Sequence, residues 1–448
     1  MNQKKGHALN KVKLIDRLDT KDHSQVCVGP KTSREKTKLI VAASLGNFLE
    51  FFDFTVYSFF AEVIGQIFFK NDDPMVSLMF SATVFGVGFL MRPFGSIMIG
   101  TYADRHGRKA AMLITIAIMA FGSAMIGFAP PYSSIGMTAP VLIVIGRLLQ
   151  GFSAGGEIGA ATTLLMESAP HSQRGLFISW QFVGQGLSSM CGALFGAVLS
   201  YMLSEEQLLT WGWRVPFFFS LLIIPVGLYI RSHVGETYSG ENHSITSKAF
   251  SPVIKIIRED FSQFVLATLM IMPVTLLIYI MVFYMPTYLK QTTDVMSSYA
   301  YFLSAGMSIM TVISALLGGV ICDRIPQRKP FAILILFITL VSSFIVFYMA
   351  SVIVIFVIAL MVCVAALGML MTVQALLVTE AFPRGVRATA ISVSYSLGVT
   401  VFGGTAQMVV VKLMAASGSH PMSPFWYLGT MLILGILAYA LFREVRYV

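Results

Sequence analysis

One short motif occurs twice in this sequence. An acid, a proline and an arginine follow one another as E-x-x-P-x-x-x-R over 167–174 and again over 380–387. A second pair of segments, over 100–109 and 319–329, repeats in the same order, and each contains Asp-Arg followed by Arg-Lys. Two motifs that recur in order at nearly the same offset indicate a duplicated half. In a very apolar chain, a parallel duplication predicts a two-lobed membrane transporter.

The composition requires a bilayer as the main solvent. Of 448 residues, 56% are hydrophobic and 12% are charged, whereas soluble domains contain about 25% charged residues. The apolar stretches resolve into twelve spans, each near the ~20 residues that a crossing helix needs. We predict them at 39–62, 76–102, 110–129, 139–166, 175–203, 211–231, 263–289, 298–322, 330–350, 352–379, 387–414 and 424–442. The predicted fold class is therefore an all-α membrane protein with twelve transmembrane helices in two six-helix halves, since β-barrel strands would alternate instead.

The positions of the basic residues predict the orientation. Of the 31 Lys and Arg residues, the predicted outer loops contain only Lys70, Arg214, Lys290 and Lys412, and two more, Arg92 and Arg147, fall inside spans. This asymmetry follows the positive-inside rule and places both termini in the cytoplasm. Orientation therefore explains the net charge of +9, and we expect no nucleic-acid partner.

Four regions follow from the spans and the polar stretches. They are a basic cytoplasmic tail at 1–38, a first six-helix half at 39–231, a cytoplasmic central loop at 232–262 and a second half at 263–448. The tail is polar and the first apolar run can span, so we expect no cleavable signal. The scattered Cys27, Cys191, Cys322 and Cys363 fit neither a disulfide framework nor a metal site.

Ionisable residues in mid-span are costly and indicate function. The first half contains six such charged or phenolic groups: Glu50, Asp53 and Tyr57 in span 1, Arg92 in span 2, and Arg147 and Glu157 in span 4. Spacings of three and four residues place those of span 1 on one helical face. Polar residues Gln181, Gln185 and Gln407 mark further interior faces in spans 5 and 11. The second half has almost no mid-membrane charge, so we expect proton chemistry in the first half and neutral substrate contacts in the second.

An acid beside an arginine suits proton coupling. A buried carboxylate stays ionised next to a guanidinium and takes up a proton when the two separate. We predict Asp53, Arg147, Glu50 and Glu157 as proton-coupling residues, and a static salt bridge that fixes helix register is the alternative. We predict substrate contacts from Arg92, Arg147, Tyr57, Gln181, Gln185 and Gln407.

The duplicated loops predict a cytoplasmic gate. Its candidate residues are Gly100, Asp104, Arg105, Gly107, Arg108, Lys109, Glu167, Arg174, Asp323, Arg324, Glu380 and Arg387. The basic residues of the first loop can pair with acids on neighbouring helix ends, and Glu167 and Glu380 are the candidates. Pro170 and Pro383 are expected to end their helices. In the alternative interpretation the basic residues only set the topology.

Several segments resemble one transporter family. The loop 100–109, GTYADRHGRK, resembles the loop 2–3 motif of the major facilitator superfamily. The segments 46–57, 89–95, 147–157 and 211–217 resemble its metabolite:proton symporter family. The resemblance covers the chain from about residue 36 and implies twelve helices, a bacterial cytoplasmic membrane and uptake of a small metabolite with protons. A similar pair in sugar porters implies that Arg147 pairs with Asp53. Two departures are Phe51, where the family usually has Trp, and Pro326 in the second loop, where it has Gly.

The substrate class stays open among the family's nutrients, which are citrate, 2-oxoglutarate, other organic acids, shikimate, proline and betaine. Two mid-membrane arginines favour an organic anion, although relatives that carry zwitterions have them too. The segments 402–404 and 423–426 resemble citrate-type relatives, so we expect a di- or tricarboxylate. Co-transported protons offset the membrane potential, which opposes an anion by ~2.3 kcal/mol per charge per 100 mV. The alternatives are a proline/glycine betaine symporter and a non-transporting nutrient sensor.

The remaining expectations concern partners and chemistry. The partners are a small organic acid, protons and membrane lipid, and the chain is expected to work as a monomer. We expect no enzyme activity, cofactor or metal, because no nucleophile–base pair, metal cluster or phosphate loop is recognisable. A proton-driven efflux antiporter is disfavoured because span 5 lacks a Gly-Pro motif.

Overall fold

The computed structural model describes residues 33–106, 108–155, 157–222, 224–225, 261–293, 296–350, 352–383 and 387–444. Within these ranges all regular structure is helical. Helices satisfy their backbone groups internally, which is what a bilayer requires of a spanning segment. Each of the twelve predicted spans contains a helix, and the predicted fold class is confirmed.

The first half is built from spans that break at defined points. Its helices are α1 (Ser33–Phe59), α2 (Ala61–Phe68), α3 (Pro74–Leu90), α4 (Arg92–His106), α5 (Arg108–Gly127), α6 (Tyr132–Ile135), α7 (Thr138–Ala154), α8 (Glu157–Glu167), α9 (Arg174–Met202), α10 (Glu205–Gln207) and α11 (Arg214–Ser220). The axis bends by 64° between α1 and α2. A second break at Met91 precedes Pro93, which cannot continue the hydrogen-bond ladder of α3. This break places Arg92 at the first residue of α4.

The second half contains longer helices and two π-helical turns. Its helices are α12 (Phe261–Leu277), α13 (Met285–Thr292), α14 (Ser297–Arg324), α15 (Arg328–Tyr348), α16 (Ile353–Ala381), α17 (Arg387–Gly398), α18 (Gly404–Ala416) and α19 (Ser423–Leu441). The π turns Ile278–Phe283 and Val399–Gly403 interrupt spans 7 and 11. Such turns change the direction in which side chains project and are frequent at functional sites.

The observed lengths agree with membrane crossing. Within the described residues, eight helices are long and apolar enough to cross, and the bent pair of α1 and α2 counts as a ninth. Spans 3 and 4 contain shorter apolar helices, Leu113–Gly127 and Thr138–Ala154. Helix α8 ends at Glu167 and α16 ends at Ala381, just before Pro170 and Pro383, as predicted.

The two halves meet along helices that the duplication relates. Helix α9 of the first half packs along α14 of the second, and α18 of the second half packs against α3 of the first. Glycines permit both contacts: a Cβ on Gly175 would lie 2.6 Å from the carbonyl oxygen of Gly319, and one on Gly86 would overlap the carbonyl of Gly404. Close backbone approach is how membrane helices gain contact energy where lipid is as apolar as the helices.

A glycine pair inside the first half offers a test of this packing. We expect Gly151→Ala to lower stability by about 1–3 kcal/mol, the usual cost of overpacking, because its new Cβ would overlap the backbone carbonyl of Gly88. The measurement is the melting temperature of the purified protein in detergent. The matched control is Gly306→Ala, whose Cβ would meet only the Met361 methyl group, at 4.0 Å. Equal melting temperatures for the two variants would contradict the packing argument.

Candidate functional site

Two arginines lie at the centre of the first half with almost no exposure. Arg92 is 1% exposed and Arg147 is 0% exposed. Aromatic rings surround both: the Arg92 guanidinium carbon lies 4.4 Å from the ring centre of Phe54 and 4.5 Å from that of Phe89. The Arg147 carbon lies 4.7 Å from Phe54, and further rings come from Tyr57 at 4.5 Å and Phe85 at 5.1 Å. Rings provide only weak cation–π attraction, so these two charges are poorly compensated.

Most donors of the two arginines lack hydrogen-bond acceptors. Arg147 donates from Nη1 to the Oε1 of Gln150 at 2.8 Å, whereas its Nε and Nη2 have no partner. None of the three side-chain nitrogens of Arg92 has a partner of good geometry, although Tyr395 lies beside its guanidinium. Buried polar groups in folded proteins normally find partners. The two guanidiniums therefore keep donors free for a further acceptor.

Asp53 is joined to Arg147 through two intervening side chains. Its Oδ2 accepts a hydrogen bond from the Ser123 hydroxyl at 2.7 Å. The Ser123 oxygen in turn accepts one from Gln150 Nε2 at 3.0 Å, and Gln150 accepts from Arg147. The direct contact that the resemblance implied is absent from the described residues, because Ser123 of α5 and Gln150 of α7 occupy the space between the two charged groups.

The other acidic and amide groups of α1 line the same face. Asn47 and Glu50 are 1% and 3% exposed, and Asp53 follows one turn later, as the spacing predicted. Both amide atoms of Asn47 lack hydrogen-bond partners. Glu50 lies near the Tyr395 hydroxyl, which also lies beside Arg92. The first half thus buries two acids and two arginines within one region.

The predicted polar contacts are distributed between the halves. Tyr57 donates weakly to the Ser81 carbonyl at 3.4 Å, and Gln181 accepts from Thr162 at 2.5 Å. Gln185 has a free Nε2. Gln407 of α18 donates to Ser58 of α1 at 2.5 Å and so joins the two halves. Gln407 therefore closes the interior rather than pointing into open space.

The second half reaches the arginines through a π-helical turn. Tyr279 lies in the turn Ile278–Phe283 and is close to both Arg92 and Arg147. Its ring packs edge-on against Phe85 and Phe89, at 5.5 and 5.6 Å. A small cavity of about 20 Å³, roughly the space of one water, opens nearby between Gln181 of the first half and Gln374 and Tyr395 of the second.

At one end of the bundle, the two copies of the acid–arginine motif pair with each other. Glu167 accepts from Arg387 at 3.4 Å, and Arg174 lies 3.7 Å from Glu380. Each acid therefore contacts the arginine of the other half. Arg328 adds a second ion pair to Glu380. We call this end, defined by these five residues, the motif end.

Asp323 ties α14 to α9 at the motif end. Its two carboxylate oxygens accept from the backbone N–H groups of Gly175 and Leu176, at 2.7 and 2.9 Å. A carboxylate at a helix N-terminus is stabilised by the unpaired N–H groups and the helix dipole. The prediction had paired Glu167 and Glu380 with the loop residues Arg105, Arg108 and Lys109. Within the described residues, Glu167 contacts Arg387, and Glu380 contacts Arg174 and Arg328. The surroundings of the three loop residues lie outside what the structure describes.

Some predicted gate residues cannot be placed. Gly107 lies outside the described residues. The surroundings of six further predicted residues also lie outside what the structure describes: Gly100, Asp104, Arg105, Arg108, Lys109 and Glu157. Arg324 is exposed at the end of α14, and Arg328 forms the ion pair with Glu380.

The opposite end of the bundle is also closed. Lys290 of α13 donates to Glu62 of α2 at 2.6 Å, and the Tyr301 hydroxyl donates to the Phe59 carbonyl at 2.8 Å. Each contact joins the two halves. Contacts between the two halves therefore lie on both sides of the arginines.

The sequence analysis did not predict five residues that contribute to the candidate site. They are Ser123, Tyr279 and Gln374, which lie on largely apolar stretches where a lone polar group gives no pattern, and Phe54 and Tyr395, which are aromatic residues in polar parts of spans 1 and 11. Phe54 alone had a usable signal, since it adjoins Asp53 in the polar part of span 1.

Comparison with known proteins identifies the family. The model of the Major Facilitator Superfamily matches residues 43–406. A citrate-proton symporter of Salmonella typhi is 33% identical over 422 residues, which cover 92% of this chain and 95% of that protein. An alpha-ketoglutarate permease of Escherichia coli (strain K12) is 31% identical over 411 residues, covering 90% and 93%. A Staphylococcus aureus (strain COL) protein named as a proline/betaine transporter is also 31% identical, over 412 residues that cover 90% and 88%.

A solved structure agrees on the fold. The partially occluded inward-open conformation of the xylose transporter XylE from E. coli has a TM-score of 0.74 at 17% identity, covering 92% of this chain and 98% of that one. The helices, the duplicated motifs at one end and these matches lead to one conclusion: the chain belongs to the major facilitator superfamily.

Proposed function

We propose that this protein is a proton-coupled symporter that imports a small organic acid with two or three carboxylates by alternating access. The observation that supports this most directly is the pair of fully buried guanidiniums, most of whose donors lack acceptors. The relatives named for citrate and alpha-ketoglutarate bind anions of this class.

A dicarboxylate fits the two arginines better than a zwitterion does. A guanidinium presents donors in a planar fork that matches a carboxylate, and such bidentate bonds are strong. An anion with two carboxylates can compensate both Arg92 and Arg147. Proline or betaine has one carboxylate and one cationic nitrogen, which would be repelled by the second arginine.

Proton coupling follows from competition for the same positive charge. In the empty site, the Asp53 carboxylate is stabilised through Ser123 and Gln150 by Arg147. A substrate carboxylate that takes over Arg147 removes this support, and a buried carboxylate without a cation favours its protonated form. Binding of substrate and binding of a proton therefore assist one another. Glu50 stands in a comparable position near Arg92 and Tyr395.

Alternating access would open one end of the bundle at a time. We propose that the motif end is the cytoplasmic gate, with both termini in the cytoplasm of a bacterial inner membrane, since basic residues concentrate on that side. The proposed halves are 39–231 and 263–448, with the tail 1–38 and the loop 232–262 outside them. The proposed site combines residues of both halves of the chain, and we propose that the protein works as a monomer.

A transport screen tests the function. Purified protein in vesicles should accumulate labelled citrate or 2-oxoglutarate when the outside is acidic, and a protonophore should abolish accumulation. Counterflow with shikimate, proline and betaine serves as the comparison. If no candidate responds to the pH gradient, the proposed symport is wrong, and if only proline or betaine does, the anion assignment is wrong.

We expect Asp53→Asn to abolish uphill uptake while exchange of substrate partly survives. The amide keeps the shape and can still bond to Ser123, but it cannot bind and release a proton. The measurements are pH-driven uptake and substrate exchange in the same vesicles. Undiminished accumulation by the variant would remove Asp53 from the mechanism.

We expect Arg147→Lys to reduce uptake at least about tenfold, since an ammonium cannot reproduce the two-pronged contact with a carboxylate. The matched control is Arg214→Lys, because Arg214 stacks on Trp213 at 4.5 Å and lies outside the site. The measurement is the initial rate of pH-driven uptake at equal protein content. Full activity of the Arg147 variant would mean that this side chain only fills space.

A further inference from the structure

One aromatic ring contacts both buried arginines. The ring centre of Phe54 lies 4.4 Å from the Arg92 guanidinium carbon and 4.7 Å from that of Arg147. Among the described residues, it is the ring that the two guanidiniums share. Phe54 is 1% exposed and follows Asp53 directly in α1. Its ring therefore contacts both of the side chains that the proposed function assigns to substrate carboxylates.

We propose that Phe54 acts as a surrogate ligand: its ring occupies Arg92 and Arg147 in the empty transporter and leaves them when an anionic substrate binds. This inference rests on the proposed function, because it assigns the two arginines to substrate carboxylates. It assigns Phe54 a role that is separate from substrate binding by the arginines. They must be compensated in the half of the transport cycle in which no substrate is bound.

The physical reason is the cost of an unpaired buried charge. A net symporter must pass through an occluded state twice in each cycle, once loaded and once empty. Without substrate, two guanidiniums with unused donors are enclosed together, and burying unpaired charge is unfavourable. The electron-rich face of an aromatic ring partly compensates a cation. Phe54 supplies that face to both cations, and therefore lowers the cost of the empty occluded state.

The cation–π contact of Phe54 has the strength expected of a group that compensates the arginines only while no substrate is bound. A cation–π contact is weaker than the charge-assisted bidentate bond between a guanidinium and a carboxylate. A substrate carboxylate can therefore displace the ring, and the ring can return when the substrate leaves. A permanent acidic partner in the same place would instead compete with the substrate through its own charge.

Net uptake and exchange separate this role from substrate binding. Net uptake requires the empty transporter to return, whereas counterflow exchange uses loaded forms in both directions. For Phe54→Leu we expect the ratio of net uptake to exchange to fall about tenfold, and the dissociation constant for the dicarboxylate to decrease several-fold, because the competing ring face is lost. Both rates are measured in the same vesicles with the substrate found in the transport screen.

Phe52→Leu is the matched control. Phe52 lies on the same helix and is equally buried at 1%, but its ring contacts Phe195 and Phe219. Its variant should keep the wild-type ratio of net uptake to exchange. An unchanged ratio for Phe54→Leu, or an equal loss for the two variants, would overturn the inference.

A second replacement avoids any change of volume. Replacement of Phe54 by 3,4,5-trifluorophenylalanine withdraws electrons from the ring face at nearly constant shape, so folding should be retained. The ratio of net uptake to exchange should fall for this replacement of Phe54, and it should stay constant when Phe52 is replaced in the same way. A constant ratio at both positions would refute the surrogate-ligand role. Failure of the wild-type protein to exchange any dicarboxylate would instead refute the proposed function, so the two failures are distinguishable.

Discussion

The cost of enclosing positive charge in an apolar interior organises the first half of this protein. Arg92 and Arg147 are removed from water, and a charge in that position persists only if other groups compensate it. The break at Met91 places Arg92 at the start of a helix, and Gly88 lets the backbone of Arg147 approach, since its carbonyl oxygen would lie only 3.0 Å from a Cβ at that position. The rings, the acids of α1 and the Ser123–Gln150 bridge are arranged around these two side chains.

The positive charges of Arg92 and Arg147 are only partly compensated by the groups around them. Asp53 reaches Arg147 only through Ser123 and Gln150, so the acid and the base influence each other without forming a closed ion pair. A direct pair would occupy one edge of the Arg147 guanidinium and hold the acid in its ionised form. In the indirect arrangement, the charge state of the acid depends on what binds the arginine, and our proposal for proton coupling is based on this dependence.

The two ends of the bundle are closed by interactions of different strength. At the motif end, Arg174 and Glu380 are each only 10% exposed, and Asp323 adds two charge-assisted hydrogen bonds to the start of α9. At the opposite end, Lys290 and Glu62 are 46% and 29% exposed, and such a pair contributes only about 0.2–1 kcal/mol. Among the described contacts, those at the motif end are therefore the more buried.

Much of this arrangement was predictable from the sequence because it depends on local patterns. The apolar spans, the proline-terminated helices α8 and α16, the duplicated acid–arginine motif and the polar face of α1 are each written in consecutive or periodic residues. The exchange of partners was not predictable: Glu167 meets Arg387 and Glu380 meets Arg174 because the halves face each other. A sequence shows that two copies exist, but it contains no information on which copy each side chain will reach.

The sequence by itself determined that the chain crosses a membrane with two duplicated halves and that it buries acids and arginines. So much apolar surface with so few charges requires a bilayer, and the charges that lie within the spans are therefore buried. Only the tertiary structure decided how those charges are spaced. Ser123 comes from α5, Gln150 from α7 and Tyr279 from a π turn of the other half, and lone residues of this kind acquire meaning only when distant helices pack together. The gap between Asp53 and Arg147 and the ring between the two arginines are consequences of that packing.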